Sequence, residues 1–280
     1  MSIRIICDSA SDIQKERAEE MRIKVLPLRI TFGNEEYLDG INMSHDEFYK
    51  KLQWEEELPT TSQVSPYDYE KAFEEAVEAG DTVICITLSG KLSGCNQSAH
   101  IASDEYGDKV YVVDSENACM GEQILVELAV NLRDEGKSAE EIVEVLNKEK
   151  KNIRLVAVLD TLENLKKGGR ISSTSAIAGT LLSIKPVAGI VDGEVKLLGK
   201  ARGRKKGNSM MNKLIMEYGG IDFSKPFKLG YSGISRELLD KYVDDSKGMY
   251  DLNNLSISTI GSTIGTHAGP GTVVAAFYKL

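Results

Sequence analysis

Hydroxyl groups and glycines cluster in residues 87–99, TLSGKLSGCNQSA, directly after an apolar run that predicts a buried strand. A strand, a glycine turn and a helix start are typical of a binding site, because the free N–H groups of a helix N-terminus point into the turn. We expect this helix to begin near Ser93, so that Ser89 and Ser93 add hydroxyl donors to the amides. Such a set of donors suits an anion.

The anion is expected to be small. A diphosphate-binding loop usually has a longer glycine pattern followed by lysine and then serine or threonine, and residues 87–99 lack this pattern. A carboxylate therefore fits better than a diphosphate. The alternative is an ordinary capped helix that follows a strand and binds nothing.

Two other stretches carry groups of the same kind. Residues 60–66, TTSQVSP, contain four hydroxyls, with Ser65 as the predicted N-cap and Pro66 as the first residue of a helix. Residues 261–271, GSTIGTHAGPG, predict a glycine-rich loop that carries His267. A lone histidine usually makes loop hydrogen bonds, but the flanking glycines expose backbone on both sides, which favours a ligand site.

The chain resembles the DegV family of bacterial fatty-acid-binding proteins, which act as acyl-carrying subunits of fatty acid kinase. The resemblance runs along the whole length and rests on matches in a fixed order: Asp8-Ser9 with Asp12, TSQVSP at 61–66, LSGCNQSA at 92–99, Asp114-Ser115, LENLKKGGRIS at 162–172, Lys185-Pro186, GKARG at 199–203 and IGTHAGPG at 264–271.

The resemblance implies a long-chain fatty acid in an apolar tunnel between two domains. Its carboxylate would be held by hydroxyls and amides of the matching positions, with the glycine-loop histidine close by: Thr61, Ser62, Ser93, Gly94 and His267. This set is chemically reasonable, because a buried carboxylate must be hydrogen-bonded, and neutral donors at a helix N-terminus do so without burying a full countercharge.

The sequence departs from the family pattern at two places. Val64 stands where the family often has proline, and Cys95-Asn96 stands where it usually has Thr-Tyr. We keep Cys95 in the predicted ligand-binding set, but the replacement removes one hydroxyl. The corresponding contact is then expected to come from a backbone amide or a water molecule.

The pattern of elements predicts an α/β protein with two domains. Alternating strands and helices indicate an N-terminal three-layer domain, residues 1–152, with a parallel sheet. Its strand ends are expected to bring together Asp8-Ser9, residues 89–94 and Asp114-Ser115. Residues 119–151 predict two helices that bridge the domains, and residues 153–280 predict a C-terminal domain with a mixed sheet packed by helices.

Local signals predict several elements in more detail. Residues 24–32 read as one strand, paired with residues 35–38 after a Gly33-Asn34 turn. Two capping boxes are predicted, Ser44 with Glu47 and Ser138 with Glu141. Residues 173–183 predict a helix of small residues, and residues 186–201 predict a hairpin around Asp192-Gly193.

The net charge of −9 conceals an asymmetry between the two halves of the chain. Up to Asn152 there are 16 basic against 32 acidic residues, a balance of −16, whereas from Ile153 onward there are 18 against 11, a balance of +7. The acidic half argues against nucleic-acid binding, which requires a continuous basic surface. The basic half is compatible with binding of one anionic partner.

Other features limit the kind of protein. The sequence has no apolar run of about 18 residues and no signal peptide, so we expect a cytoplasmic protein without stable membrane insertion. The four cysteines show no C-x-x-C spacing and are expected to be reduced core thiols. The three histidines show no metal-site spacing, so neither a metal nor a cofactor is expected beyond the bound fatty acid.

Arg170 and Arg202 are the predicted partner-binding residues. They fall at positions where the resemblance implies docking of the catalytic subunit of fatty acid kinase through a basic surface. The alternative for Arg170 is that its positive charge only offsets the negative dipole at the C-terminal end of the preceding helix, as the charges of Lys166 and Lys167 do.

Two functions remain open at this level. The first is a subunit that presents a fatty acid to a separate ATP-dependent kinase for acyl-phosphate formation. The acyl phosphate would be a precursor for phospholipid synthesis, and the subunit would have no catalytic residue of its own. The sequence has no phosphate-binding loop, which suits this role. The alternative is a serine hydrolase of acyl esters that uses Ser93, His267 and either Asp8 or Asp114, although no G-x-S-x-G pattern surrounds Ser93.

Overall fold

The computed structural model describes residues 2–171, 183–246, 248–252 and 254–280. The strands are, in chain order, β1 (Ile3–Asp8), β2 (Ile23–Leu26), β3 (Arg29–Phe32), β4 (Glu35–Leu38), β5 (Thr60–Ser62), β6 (Thr82–Thr87), β7 (Val110–Asp114), β8 (Ile153–Val158), β9 (Ile184–Val191), β10 (Glu194–Arg202), β11 (Lys228–Tyr231), β12 (Ile257–Thr259) and β13 (Val273–Tyr278).

The α-helices connect these strands. They are α1 (Lys15–Met21), α2 (His45–Leu52), α3 (Pro66–Glu78), α4 (Cys95–Ser103), α5 (Met120–Asp134), α6 (Ala139–Glu149), α7 (Glu163–Lys167), α8 (Arg204–Glu217), α9 (Glu237–Asp245) and α10 (Ser262–Ala268). Short 3-10 turns lie at Ser9–Ser11, Gly107–Lys109 and Lys150–Asn152.

The predicted parallel sheet is confirmed. Its four strands lie in the order β2, β1, β6, β7, and all three pairings are parallel. Both faces are apolar because both are covered: Ile5 and Ile84 pack towards α5, whereas Ile6 and Val83 pack towards α3 and α4. This burial on two sides explains why β6 is a continuous apolar run.

The prediction of one strand over residues 24–32 was wrong. The segment divides at Pro27 into β2, in the parallel sheet, and β3, in a separate antiparallel sheet of order β4, β3, β5. Proline has no N–H to donate to a ladder, and the N–H of Leu28 donates to the Ser9 hydroxyl at 3.0 Å. The chain therefore leaves the first sheet at this point.

The mixed sheet of the second half has six strands in the order β10, β9, β8, β13, β11, β12. Side chains alternate along β8: Val156 and Val158 pack against a cluster that includes residues of α8 and α9, whereas Leu155 and Ala157 face the parallel sheet and α5. Helix α5 thus lies between the two sheets, which confirms the mixed α/β class.

Most local predictions are confirmed. Both capping boxes are present, Ser65 caps α3 with Pro66 in its first turn, and β9 and β10 form the hairpin around Asp192-Gly193. The four cysteines are buried and free. The helix predicted over residues 173–183 lies outside the described residues except for its last one. The domain boundary at 152/153 coincides with the end of a 3-10 turn and stays a prediction.

Candidate ligand-binding site

A cavity of ≈ 390 Å³ lies between the carboxyl edge of the parallel sheet and the inner face of the mixed sheet. Leu155, Ala157 and Leu159 follow one another along its wall at every second position of the chain from β8 onward. Further apolar contacts come from both halves of the chain, and include Leu28, Leu92, Ala118, Leu165, Ala188, Ile190, Val195, Ile260, Ile264 and Val274.

Most polar groups of the cavity come from four regions that are distant in sequence. They belong to Thr61, Ser62 and Gln63 at β5, Ser93 and Gly94 before α4, Arg170 after α7, and Thr263 and His267 on α10; Thr272, before β13, also lines the cavity. The structure therefore brings together five of the six predicted ligand-binding residues. These donors lie on an otherwise largely apolar lining, which suits an amphiphilic anion with a long apolar body.

Thr61 and His267 form the central contact of this polar group. The Thr61 hydroxyl lies 2.9 Å from Nε2 of the His267 ring. His267 was predicted in a loop, but it occupies α10, a helix whose N-terminus is held by carboxylates of the first half of the chain. Helical geometry instead of a loop fixes the direction of the ring towards β5.

The surroundings of the His267 ring favour its neutral form. Burial, assisted by the nearby Arg170 guanidinium, lowers the pKa of His267 from 6.5 to about 4. Nδ1 is buried without a hydrogen-bond partner among the described residues. It lies against Gly168, where an added Cβ would be only 2.3 Å from Nδ1. The ring is thus clamped between Thr61 and a glycine that leaves room for it.

The turn before α4 differs slightly from the prediction. The helix begins at Cys95, with Gly94 as the N-cap, instead of near Ser93. The Ser93 Oγ accepts a hydrogen bond from the Cys95 N–H at 3.3 Å, so this hydroxyl assumes the capping role that glycine has no side chain to perform. Ser93 and Gly94 both line the cavity.

Cys95 is the predicted ligand residue that does not line the cavity. Its thiol is buried in the core beneath the turn, accepts the Val64 N–H at 3.4 Å and lies 3.4 Å from the Ser93 hydroxyl. Burial raises the pKa of the Cys95 thiol to about 12. It therefore remains a neutral thiol that links β5 to the turn, and its direct contact with a ligand stays a prediction.

The two predicted arginines lie in different settings. Arg170 is half-buried, lines the cavity, and donates to the carbonyls of Leu92 at 3.2 Å and Gly168 at 2.6 Å. Arg202 is exposed at the end of β10, outside the cavity lining. Arg170 thus braces the site from within, whereas Arg202 is available at the surface.

Asp8 and Asp114 lie at the same edge of the parallel sheet, at the carboxyl ends of β1 and β7 on either side of β6, and their carboxylates bind loop backbone. Asp8 accepts the N–H groups of Ala10 and Leu88, and Asp114 accepts those of Gly90 and Glu116. Burial raises the pKa of Asp8 to about 7. Neither carboxylate contacts His267 in the hydrogen bonds of the described residues, so the arrangement that a serine hydrolase needs is not formed.

Sequence reasoning missed several residues of the site. Gln63 lines the cavity and donates to the Ser98 hydroxyl at 2.7 Å, and its amide lies so close to Gly94 that a Cβ there would be 1.9 Å from Oε1. Gln63 belongs to a stretch already selected for its hydroxyls. Gly168 and Ala157 have no polar side chain, so only their packing in the structure shows that they shape the site.

The described part of the chain contains no cluster of three or more His, Cys, Asp or Glu side chains able to hold a metal ion. Within the same residues, no helix has the length and apolar character needed to cross a membrane.

The fold and the cavity define an α/β protein with a largely apolar chamber between the parallel and the mixed sheet, and the hydrogen-bonding groups of this chamber include the Arg170 guanidinium. A family model described as "Uncharacterised protein, DegV family" matches residues 2–280. The chain belongs to the DegV family. A DegV domain-containing protein of Caldanaerobacter subterraneus subsp. tengcongensis is 37% identical over 270 residues, which cover 96% of this chain and 95% of that protein.

Solved structures of the family confirm the fold. One is a DegV family protein from Thermus thermophilus described by its fatty acid binding, with 32% identity, full coverage of both chains and a TM-score of 0.89. Another, from Eubacterium eligens, is loaded with heptadecanoic acid and has 26% identity, full coverage and a TM-score of 0.85. Proteins of this family thus bind fatty acids.

Proposed function

We propose that this chain binds a long-chain fatty acid in the cavity and presents its carboxylate to a separate ATP-dependent fatty acid kinase, which forms the acyl phosphate. The observation that carries the proposal is the composition of the cavity: a largely apolar chamber whose polar lining groups include Thr61 and Ser93 hydroxyls and the Gly94 backbone. The fatty acid binding of related structures supports the same ligand class.

The acyl chain would lie along the inner face of the mixed sheet. Leu159, Ala157 and Leu155 are spaced by two residues, so they mark successive levels from the polar end towards the distant end of the cavity. Ala157 and its paired neighbour Ala188 leave space at the middle level. Burying each methylene contributes about 0.8 kcal/mol, which provides a large driving force for a long chain.

The carboxylate would be bound mainly by neutral donors. Because Nδ1 of His267 has no hydrogen-bond partner in the described part of the chain, we assign the ring proton to Nε2, from which it is donated to Thr61 Oγ1. The Thr61 hydroxyl proton is then free for the ligand. Ser62 and the Gly94 backbone add donors, the Ser93 hydroxyl would turn from its weak contact with Cys95 Sγ to the ligand, and the half-buried Arg170 contributes positive charge close by.

The proposed kinase reaction requires that the carboxylate be reached from outside. An outer pocket of ≈ 460 Å³ shares Thr61, Arg170 and His267 with the cavity and is also lined by Gly168. It opens beside Lys167 and the segment that contains Glu56 and Glu57. A phosphoryl donor held by a partner could therefore approach the carboxylate without the fatty acid leaving the apolar chamber.

The hydrolase alternative has less support. Its nucleophile and base would be Ser93 and His267, but the hydroxyl of Ser93 donates to Cys95 Sγ, and Nε2 of His267 contacts Thr61 instead. Among residues 2–171, 183–246, 248–252 and 254–280, no carboxylate hydrogen-bonds to Nδ1 of the ring. The observed contacts suit binding of a carboxylate better than activation of a serine.

Native mass spectrometry of the purified protein tests the ligand class. We expect protein expressed in lipid-containing cells to carry one fatty acid, because a chain of about 16–18 carbons buries enough apolar surface to survive gentle purification. The bound mass should be released by denaturation and identified as a free acid. Delipidated protein should take up palmitate or oleate again.

A matched control uses methyl palmitate, which has the same chain but no carboxylate. We expect it to bind much more weakly than palmitate, because the donors of Thr61 and Ser93 would lose a charged acceptor. Protein that is empty when purified and that also fails to take up palmitate would contradict the proposal. Steady hydrolysis of the methyl ester by the chain alone would instead support the hydrolase.

The kinase step is tested by replacing Arg202 with alanine. Arg202 is exposed and lies outside the cavity, in the half of the chain with a balance of +7, so we expect acyl-phosphate formation with the kinase to become slower, and more so at low salt. Fatty acid exchange without the kinase should stay unchanged. The measurements are a lipid-exchange assay and a kinase assay on the same variant.

Replacing the exposed Lys213 on α8 with alanine provides a control for loss of positive charge elsewhere on this half. If both variants reduce acyl-phosphate formation equally, the effect is one of general charge and not of a docking site. If Arg202→Ala leaves the kinase reaction unchanged, Arg202 is not part of the docking surface.

A further inference from the structure

The N-terminus of α10 is held by carboxylates from the beginning of the chain. Asp12 Oδ1 accepts the N–H of Gly261 at 2.8 Å. Asp39 accepts the next two N–H groups, those of Ser262 on Oδ1 and Thr263 on Oδ2, each at 3.2 Å. The first amides of a helix have no partner within the helix, so these bonds satisfy groups that would otherwise be buried unpaired.

Asp39 is itself fixed in place. Its side chain is buried, and Oδ2 also accepts the hydroxyl of Ser9 at 3.0 Å. The same Ser9 oxygen accepts the N–H of Leu28, the residue at which the chain leaves the parallel sheet. Asp39 therefore connects the start of α10 to the edge of the parallel sheet through a short series of hydrogen bonds.

The side of α10 is held by α2. The hydroxyl of Tyr49 donates to the carbonyl of Ile260 at 3.0 Å. Gly265 lies directly against this ring, because an added Cβ would be 2.4 Å from the Tyr49 oxygen. The helix cannot move towards α2, and its N-terminus cannot leave Asp39 without exposing two amides.

One face of α10 lies against the cavity, and His267 is on this face in the last turn of the helix. Thr263, Ile264, His267 and Ala268 line the cavity, and Nε2 of His267 meets Thr61. Asp39 does not line this cavity. A shift of α10 by about 1 Å would be enough to break the contact between the ring and the hydroxyl.

We propose that Asp39 is a positioning residue of the fatty acid site: by capping α10, it places His267 against Thr61 and so orients the hydroxyl that receives the carboxylate. The proposal rests on the proposed function for its ligand, but the position of the His267 ring can be measured without any ligand. The two ideas can therefore fail separately.

The test replaces Asp39 with asparagine, which keeps the size of the side chain but turns one acceptor into a donor. We expect the affinity for palmitate to fall about tenfold, mainly through faster release. In ligand-free protein, we expect the pKa of His267, followed by NMR of its ring, to rise from about 4 towards 6.5, because a displaced ring becomes hydrated.

Asp81→Asn is the matched control. Asp81 is also a buried, hydrogen-bonded carboxylate, but it holds Ser2 and Arg4 at the opposite edge of the parallel sheet. It should lower stability while leaving palmitate affinity and the His267 titration unchanged. Tyr49→Phe, which removes only the bond to Ile260, should shift both readouts in the direction of Asp39→Asn but less strongly.

The proposal would be overturned if Asp39→Asn kept the wild-type palmitate affinity and an unchanged His267 titration. It would also be overturned if Asp81→Asn changed the palmitate affinity and the His267 titration as much as Asp39→Asn does. Should Asp39→Asn fail to fold, the Tyr49→Phe variant decides: an altered His267 titration supports positioning of α10, and an unaltered one overturns it. Failure of wild-type protein to bind palmitate removes the proposed function but leaves the NMR result to decide the role of Asp39.

Discussion

Replacing Ala157 with leucine is expected to exclude long acyl chains from the cavity. Ala157 lines the cavity between Leu155 and Leu159 along the chain, so a larger side chain narrows the chamber where we propose that the acyl chain passes. If about four methylenes lose their contacts, the loss is ~3 kcal/mol. The affinity for palmitate should therefore fall about 100-fold, measured by displacement of a fluorescent fatty acid.

A shorter acid provides the control for this variant. Octanoate bound at the polar end does not need the space beyond Ala157, so its affinity should change far less than that of palmitate. The fold should be retained, because the added atoms enter an existing cavity instead of a packed core. Equal losses of affinity for octanoate and palmitate would show that the variant disturbs the polar end of the cavity. No loss of affinity for either acid would mean that the acyl chain does not pass Ala157.

Replacing Gly168 with alanine is expected to displace the His267 ring. The backbone of Gly168 has φ −74°, which alanine adopts without strain, so the new Cβ acts through its contact with Nδ1 at 2.3 Å. Moving the ring away from Thr61 misdirects a hydrogen bond to a charged ligand, worth about 1.5–3 kcal/mol. We expect palmitate affinity to fall about tenfold to a hundredfold in equilibrium binding.

Gly169→Ala offers a control at the adjacent position. Gly169 has φ +71° and no atom within 4 Å of an added Cβ, so alanine there strains the backbone by about 1–2 kcal/mol but does not touch the ring. Its stability should fall while its palmitate affinity stays within about twofold of wild type. Similar affinity losses in both variants would mean that the turn itself, and not the ring contact, matters.

Thr61→Ala tests whether Gly168 acts through the pair of Thr61 and His267. If it does, the double variant Thr61→Ala, Gly168→Ala should bind palmitate only slightly more weakly than Thr61→Ala alone. Additive losses would indicate that Gly168 affects the ligand by another route, such as the Arg170 side chain that donates to its carbonyl.

The sequence by itself determined most helices, turns and caps. Ser65-Pro66, the box of Ser138 with Glu141, and the turn at Asp192-Gly193 act through hydrogen bonds and backbone preferences within a few residues, so their effect can be read locally. Local patterns also selected the stretches 60–66, 87–99 and 261–271, whereas the ligand-binding roles of Thr61, Ser93 and His267 came from the family resemblance.

Only the tertiary structure decided how these parts meet. The division at Pro27 depends on Ser9 taking the Leu28 amide, and α10 forms where a loop was predicted because Asp12 and Asp39 satisfy its first amides. The pair of Thr61 and His267 joins residues 206 positions apart. Such contacts depend on packing between elements distant in sequence, which no local pattern encodes.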